Sequence, residues 1–454
     1  MWGDPVHVVA EDGDRTEVRA RTATGFVETS HLTDRSLLEV YVIDVGQGDG
    51  ILMRTPDDCW HMIDAGRRAE DQTTKKGAAN FLRWKFLDDL EEESVSLRSA
   101  ITTHPDSDHF AGFIDVLSGT VPFRDSFPVQ VDRFFHSGLG RFGEGPELGA
   151  ETDGKVAPFP QGFKGIRENG SFYTELLDGA DDFADPSHEL MDEFGEYAAL
   201  VATVPDEVRR LSYGDRYLPG YAPGDGDVVI HVLGPVVEEY APGQSGLRKL
   251  GSNSVTLNGH SIVLRVDFGD VRILLTGDLN TQSQKLLRSY HADEELEVDV
   301  AKACHHGAED VDLEFVKAMA ARATVISSGD DENYAHPRPV LMGAAGLYGR
   351  ESKPATGSGT MPPLLYSTEL SRAVKLAYPY RIGPIDRSAS LDPRDFRIRT
   401  DRRADVWWPL ATASLATDLV YGLVNVRTDG KTVLCATLEE KGDDFDVKTF
   451  RVTG

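Results

Sequence analysis

Between residues 101 and 109 the chain reads Ile-Thr-Thr-His-Pro-Asp-Ser-Asp-His, so His104, Asp106, Asp108 and His109 emerge together at the end of a β-branched run. Imidazole and carboxylate donors in one turn suit a borderline-to-hard divalent cation. Adjacent Asp108 and His109 can serve one ion while His104 and Asp106 serve another, and two such ions would share a water. The plainer alternative is an Asp-rich helix-capping loop with two incidental histidines, since Asp and Ser are ordinary N-cap residues.

Other stretches carry the same kinds of side chain to the ends of expected strands. Asp270–Leu275 reads as a strand, and Thr276-Gly277-Asp278 ends it with a carboxylate suited to bridging two cations. The expected strand Val298–Ala303 runs into His305-His306-Gly307. Neighbouring side chains on extended backbone point to opposite faces, so one histidine of this pair coordinates and the other meets substrate or orients its neighbour. We assign the ligand role to His305 and substrate contact to His306. His336, in Tyr334-Ala335-His336-Pro337, is either a closing ligand or a donor to developing negative charge. The glycine-rich segment Gly46-Gln47-Gly48-Asp49-Gly50 invites a phosphate-loop reading, but a strand and not a helix follows it. A tight hairpin turn is the better account, with Asp49 as an orienting carboxylate near the metals. Gly-x-Ser-x-Gly and His-Glu-x-x-His are both missing from the sequence, which weakens serine-hydrolase and zincin readings.

Taken together, the 104–109 motif, Ile43–Asp49, Met62-Ile63-Asp64-Ala65-Gly66, Leu275–Asp278, His305-His306-Gly307 and Tyr334–Pro337 resemble the metallo-β-lactamase fold. Asp106 stands where most members carry a second histidine, and in this the chain is similar to the ComEC/Rec2-like branch. The resemblance covers roughly residues 37 to 118, 225 to 345 and 415 to 440. It implies an α+β fold, a four-layer αββα sandwich with the metals at one end of the sheets. It also implies structural support from Asp64, a bridging Asp278, and a third histidine between strands for which His260 is the candidate. The alternative for His260 is a loop histidine bonded to backbone. The ligand set is then His104, Asp106, Asp108, His109, His260, Asp278 and His305, with Asp108, Asp278 and His306 catalytic. Two divalent ions, Zn²⁺ or Mn²⁺, would activate a shared water for in-line displacement. The branch implies a phosphodiesterase, most plausibly a nuclease. A small ester, lactone, thioester or cyclic nucleotide is the alternative substrate, and a partner-binding module of a multi-protein bacterial system is the third reading.

The positioning elements follow from pattern. With 454 residues the chain can form one decorated domain or several units at ~150 residues each. We divide it into a small β appendage (1–35), the main domain (36–350, with an insertion at about 140–205), an Arg-rich insertion (351–415) and C-terminal strands (416–454) that complete the domain. Helices are expected over Lys76–Leu90, through Ala79, Leu82 and Phe86, and over Glu189–Val204; Leu257–Ser261 reads as a polar loop feeding a strand. The 140–205 insertion lies beside the active-site mouth as a lid, a selectivity element or a surface for a protein partner, with solvated loop as the plain alternative. A net charge of −28 repels polyanions, so DNA would need a local basic surface or the metals themselves. The best such surface is the stretch with Arg372, Lys375, Arg381, Arg387, Arg394, Arg397, Arg399, Arg402 and Arg403, with Tyr378, Tyr380, Trp407 and Trp408 for stacking. Ion-paired surface is the alternative. Three cysteines, no export signal and no run approaching the ~20 apolar residues of a membrane span point to a cytoplasmic protein without a membrane partner.

Overall fold

Leu38–Val42, Gly50–Arg54 and Trp60–Ala65 are strands buried at every position, as sheets covered on both faces require. The computed structural model describes residues 2–21, 23–72, 75, 77–143, 147–159, 166–329, 336–369, 421–438 and 445–452, with the backbone of strands Arg381–Pro384, Phe396–Arg399 and Trp408–Pro409.

Among the described residues, the larger of the two main sheets has ten strands. From one edge they run Glu207–Arg210, Val129–His136, Val95–Thr102, Trp60–Ala65, Gly50–Arg54, Leu38–Val42, Val424–Thr428, Thr432–Leu438, Phe445–Arg451 and Lys353–Pro354. The six-stranded sheet runs Val228–Gly234, Val263–Phe268, Val271–Leu275, Val300–Lys302, Ala323–Ile326 and Leu364–Ser367. Alternation along each strand divides its side chains between two cores. Val40, Val42, Ile51, Met53 and Ile63 pack against Ile230, Leu264, Ile273 and Val325 of the smaller sheet. Tyr41, Leu52 and Met62 face the other way, onto helices Ala78–Arg83, Gly112–Ser118 and Asp192–Val201. Behind the smaller sheet, Leu274 and Ala301 meet Leu287, Phe315 and Leu341 of helices Thr281–Tyr290, Leu313–Met319 and Pro339–Tyr348. The architecture is mixed α/β with two large sheets.

Each main sheet contains a parallel block: Trp60–Ala65, Val95–Thr102 and Val129–His136 in one, Val271–Leu275, Val300–Lys302 and Ala323–Ile326 in the other. A loop leaving each block meets a loop of the opposite sheet. Ile262 donates its N–H to the Thr103 carbonyl at 2.9 Å, and Ser327 Oγ donates to the Gly48 carbonyl at 2.8 Å.

Several local expectations need correction. Asn253–Gly259 is a helix where a polar loop is expected, because the Ser252 hydroxyl caps it by accepting from the Val255 N–H. Only part of the 140–205 insertion is solvated loop. Helix Asp192–Val201 sends Phe194, Tyr197, Ala198 and Val201 into the core, with Phe194 and Tyr197 against Phe110. The Lys76–Leu90 helix is observed as Ala78–Arg83 followed by a π-helical turn, Trp84–Asp89; Lys76 lies outside the described residues. Near the N-terminus, His7–Asp12, Arg15–Ala20 and Ala23–Glu28 form a three-stranded antiparallel sheet. Tyr334, Ala335, Arg372, Lys375, Tyr378, Tyr380, Arg387, Arg394, Arg402, Arg403 and Trp407 lie outside the described residues. Among the described residues no helix is long and apolar enough to cross a membrane.

Candidate metal centre

Strand Val95–Thr102 delivers the 104–109 motif, and Asp64, from the end of the neighbouring parallel strand, fixes its path. One Asp64 oxygen accepts the Thr103 N–H at 2.7 Å. The other accepts the Thr103 hydroxyl at 2.6 Å and His109 Nδ1 at 2.7 Å. From behind, Tyr197 of the insertion helix donates its hydroxyl to Thr102 Oγ1 at 2.9 Å. The Gly46–Gly50 turn docks in front, and at Gly48 (φ 116°) a Cβ would come within 2.0 Å of the Asp108 carbonyl. Glycine is required there by contact as well as by conformation.

Three buried imidazoles are each anchored through Nδ1. The Ser261 hydroxyl gives its hydrogen to the Asn258 carbonyl, and that of Thr103 goes to Asp64, so both oxygens are acceptors for His104 Nδ1, at 3.2 and 3.1 Å. The proton of His104 therefore sits on Nδ1 and the lone pair on Nε2. His109 Nδ1 is held by Asp64, and His306 Nδ1 by the Ser327 carbonyl at 3.1 Å. All three Nε2 atoms are buried without an aligned hydrogen-bond partner among the described residues. Fixing Nδ1–H and freeing Nε2 is how proteins prepare histidine to bind a metal.

The carboxylates converge on the same point. Asp278 Oδ2 lies 2.9 Å from His306 Nε2 and 3.2 Å from His109 Nε2, and Asp108 Oδ2 lies 3.4 Å from His306 Nε2. Asp49, His109, Asp278 and His306 each bring one ligand atom to within 4.8 Å of the others, and all four are buried. This buried cluster could hold a metal ion. Its electrostatics fit that reading. Burial opposes ionisation throughout, yet His306 and His109 hold Asp278 well below the usual carboxylate range. Asp278 and Asp64, in turn, outweigh burial at His109 and raise its imidazole well above its ordinary value; Asp278 and Asp108 do the same for His306. Asp49, despite its burial, is lowered to about 2 by Lys302 and His306. Burial and the neighbouring His109 push His104 the other way, well below its ordinary value. Protonated rings balance buried carboxylates here, and a divalent ion can take over that balance as the rings lose their protons.

The His305-His306 pair is not arranged as strand alternation predicts. Alternation fails because the chain has already left the strand: both residues are left-handed, with φ of 47° and 51°, so both rings come to the centre, 6.0 Å apart. His306 is buried in the cluster. His305 is 29% exposed, with Nε2 3.9 Å from Asp278 Oδ2 and 3.4 Å from Asn258 Nδ2. His260 is not brought in at all. Its Nε2 bonds to the Arg248 carbonyl at 2.7 Å, the backbone alternative considered for it. Asp106 caps helix Ser107–Phe110 and pairs with Arg141 at 3.2 Å. The His336 ring lies 6.0 Å from His305 and 6.2 Å from His306.

Four participants escaped the sequence reading: Gln47, whose Nε2 donates to Asp108 Oδ2 at 3.1 Å, Ser261, Arg141 and Lys302. For Lys302 a signal existed. It is a lone charge inside the apolar run Val300-Ala301-Lys302-Ala303, three residues before His305, and lysine is almost never fully buried without a partner.

No family profile matches the chain. Over 117 residues it is 27% identical to ComE operon protein 3 of Bacillus subtilis (strain 168), a match covering 26% of this chain and 13% of that protein. The matched region is thus a small part of that relative's length. Among solved structures, Tm1679, a metal-dependent hydrolase of the β-lactamase superfamily, aligns over 64% of this chain and 87% of its own, at 12% identity and a TM-score of 0.30. A likeness of that size adds nothing to the chemistry of the site.

Proposed function

We propose that this chain is a metal-dependent hydrolase of the metallo-β-lactamase type and that it cleaves phosphodiesters. The observation that carries the reading is the set of three buried imidazoles, each with Nδ1 held by an acceptor and Nε2 left for the centre. The four-layer αββα arrangement belongs to the same reading, supported by the helix-packed cores behind each sheet. The 27% identity to a ComE operon protein supports placement near the ComEC/Rec2 branch.

His109, His306, Asp278 and Asp108 would hold the ion. A bound divalent ion, Zn²⁺ or Mn²⁺, supplies Lewis acidity and brings the pKa of water toward neutrality. The protein does the rest. Asp64 fixes the His109 ring, Ser261 fixes the His104 ring and also accepts the Asp278 N–H at 2.9 Å, and Gln47 orients Asp108. His305 and His336, whose rings lie 6.0 and 6.2 Å from that of His306, would meet the substrate. Arg141 brings a guanidinium from the insertion to the same side, suited to a phosphate oxygen.

The test is metal content measured beside hydrolysis of bis(p-nitrophenyl) phosphate and of labelled single- and double-stranded DNA, with added Zn²⁺ or Mn²⁺. Metal-dependent cleavage abolished by Asp108→Ala is expected. Bound metal without phosphodiester cleavage would replace this reading with a hydrolase of a small ester, lactone or thioester, which the net charge of −28 favours. Residues 140–205 are the proposed surface for a protein partner, and the proposed location is the cytoplasm.

A further inference from the structure

Lys302 ends the three-residue strand Val300–Lys302, and its ammonium is entirely buried inside the candidate centre. Nζ is ion-paired with Asp49 Oδ2, lies 3.5 Å from Asp278 Oδ1, and donates to the Gly277 carbonyl at 3.0 Å. Asp278 is thereby divided. Its Oδ2 faces His109 and His306, and its Oδ1 faces the ammonium. Asp49 is divided in the same way, with Oδ1 3.3 Å from His306 Nδ1 and Oδ2 on Lys302.

We propose that the Lys302 ammonium stands in for a second cation, occupying the oxygens of Asp49 and Asp278 that a second ion would need, so that the centre holds one divalent ion tightly. The other side of the cluster agrees. A second ion beside His104 would need further ligands, but the Thr103 hydroxyl is given to Asp64 and the Ser261 hydroxyl, 3.2 Å from the ring, is already committed. It donates to the Asn258 carbonyl and accepts from His104 Nδ1 and the Asp278 N–H. The Asp106 carboxylate is engaged with Arg141 and its own helix cap. Charge points the same way. Asp49, Asp108 and Asp278 face the centre, and one ammonium with one divalent ion balances three carboxylates. Asp64 is satisfied separately, behind His109. Burying further charge without a partner is costly, which is why a fixed ammonium is an effective substitute for an ion.

The inference rests on the cluster being a metal centre and does not depend on the substrate. The test is equilibrium dialysis of the full chain against Mn²⁺, with ion counting and electron paramagnetic resonance. The wild type is expected to retain one Mn²⁺ per chain with an uncoupled six-line spectrum. Lys302→Met, with its fold checked by circular dichroism, is expected to retain two, with an exchange-coupled spectrum. The double variant Asp49→Asn/Lys302→Met, which removes the vacated carboxylate as well, is expected to return to one. Two tightly held ions in the wild type would overturn the proposal whether or not the variants fold, and so would a folded Lys302→Met that retains one. No retained ion in the wild type would instead defeat the reading of the cluster as a metal centre.

Discussion

Asp108 and His109 leave the same turn as His104 and Asp106, yet the two pairs are furnished differently. Around Asp108 and His109 the fold gathers His306 and Asp278, and Asp64 locks the ring. Around His104 it supplies a serine hydroxyl, and it draws Asp106 away to Arg141. The residue types in the motif are nearly symmetric, but the neighbours are not. The difference between the two halves of the motif is therefore contributed by elements far away in sequence: the 278 and 306 turns on one side, the 261 turn and the insertion on the other.

Asp278 is where this asymmetry can be broken most severely. Asp278→Asn removes the charge that His109 and His306 share, so tight metal retention should disappear. Hydrolysis should fall by about 10²–10³-fold, the scale set by losing one charge-stabilising group in a preorganised site. Metal analysis and kcat/KM of the purified variant check it.

The two sides can then be compared directly. His306→Gln should weaken Mn²⁺ binding by about 10²-fold and His104→Gln by about 10-fold, the range seen when a metal site loses a ring or its support. Calorimetric titration of both variants decides it, and equal losses would erase the asymmetry. Asp64→Asn probes the support itself. It keeps the shape but gives His109 a poorer acceptor and weakens the bond from the Thr103 hydroxyl. A loss of about 10-fold in affinity is expected, with a stability cost of about 1–3 kcal/mol from poorly satisfied buried groups.

How far the sequence leads can be judged on these same residues. The apolar runs make the strands legible, and the meeting of Asp64, His104, Asp108, His109 and Asp278 in space follows from the strand ends and the short helix that carry them. What fails is reasoning that extends local geometry one step too far. The period of two assigned His305 and His306 to opposite faces, but the chain turns left-handed at that point. The resemblance makes His260 a candidate third histidine between strands, but the hydroxyl cap at Ser252 starts a helix that ends at Gly259 and leaves this ring on the backbone. Ser261 and Arg141 carry no sequence signal, since a serine and an arginine are ordinary at such positions and only the packing of distant segments gives them work.

The metal-free cluster also predicts a pH dependence. His109 and His306 have folded values raised above the ordinary 6.5, so the stability they contribute is fully present below about pH 6.5 and is lost as pH rises through their folded values. Metal binding runs the other way, because the rings must shed those protons to coordinate. The rise in Tm on adding Mn²⁺ should therefore be larger at about pH 8.5 than at about pH 6, and thermal melts with and without metal at both values measure it. A constant increment would mean that the rings carry no exchangeable proton in the metal-free protein.

The smallest effect on the centre is expected at His260, and it sharpens the comparison because this histidine is as buried as His104. Its Nε2–H satisfies the Arg248 carbonyl, whose residue is locked by a buried ion pair from Nε to Glu238 at 2.6 Å. Burial holds the ring down at about 4, so it is neutral near physiological pH. His260→Ala should leave a buried carbonyl without its donor and cost about 1–3 kcal/mol of stability, with metal stoichiometry and affinity unchanged. His104→Ala should do the reverse on affinity. Melts and titrations of the two variants would then separate a histidine that holds the backbone from one that faces the ion, a distinction that residue type and burial alone do not make.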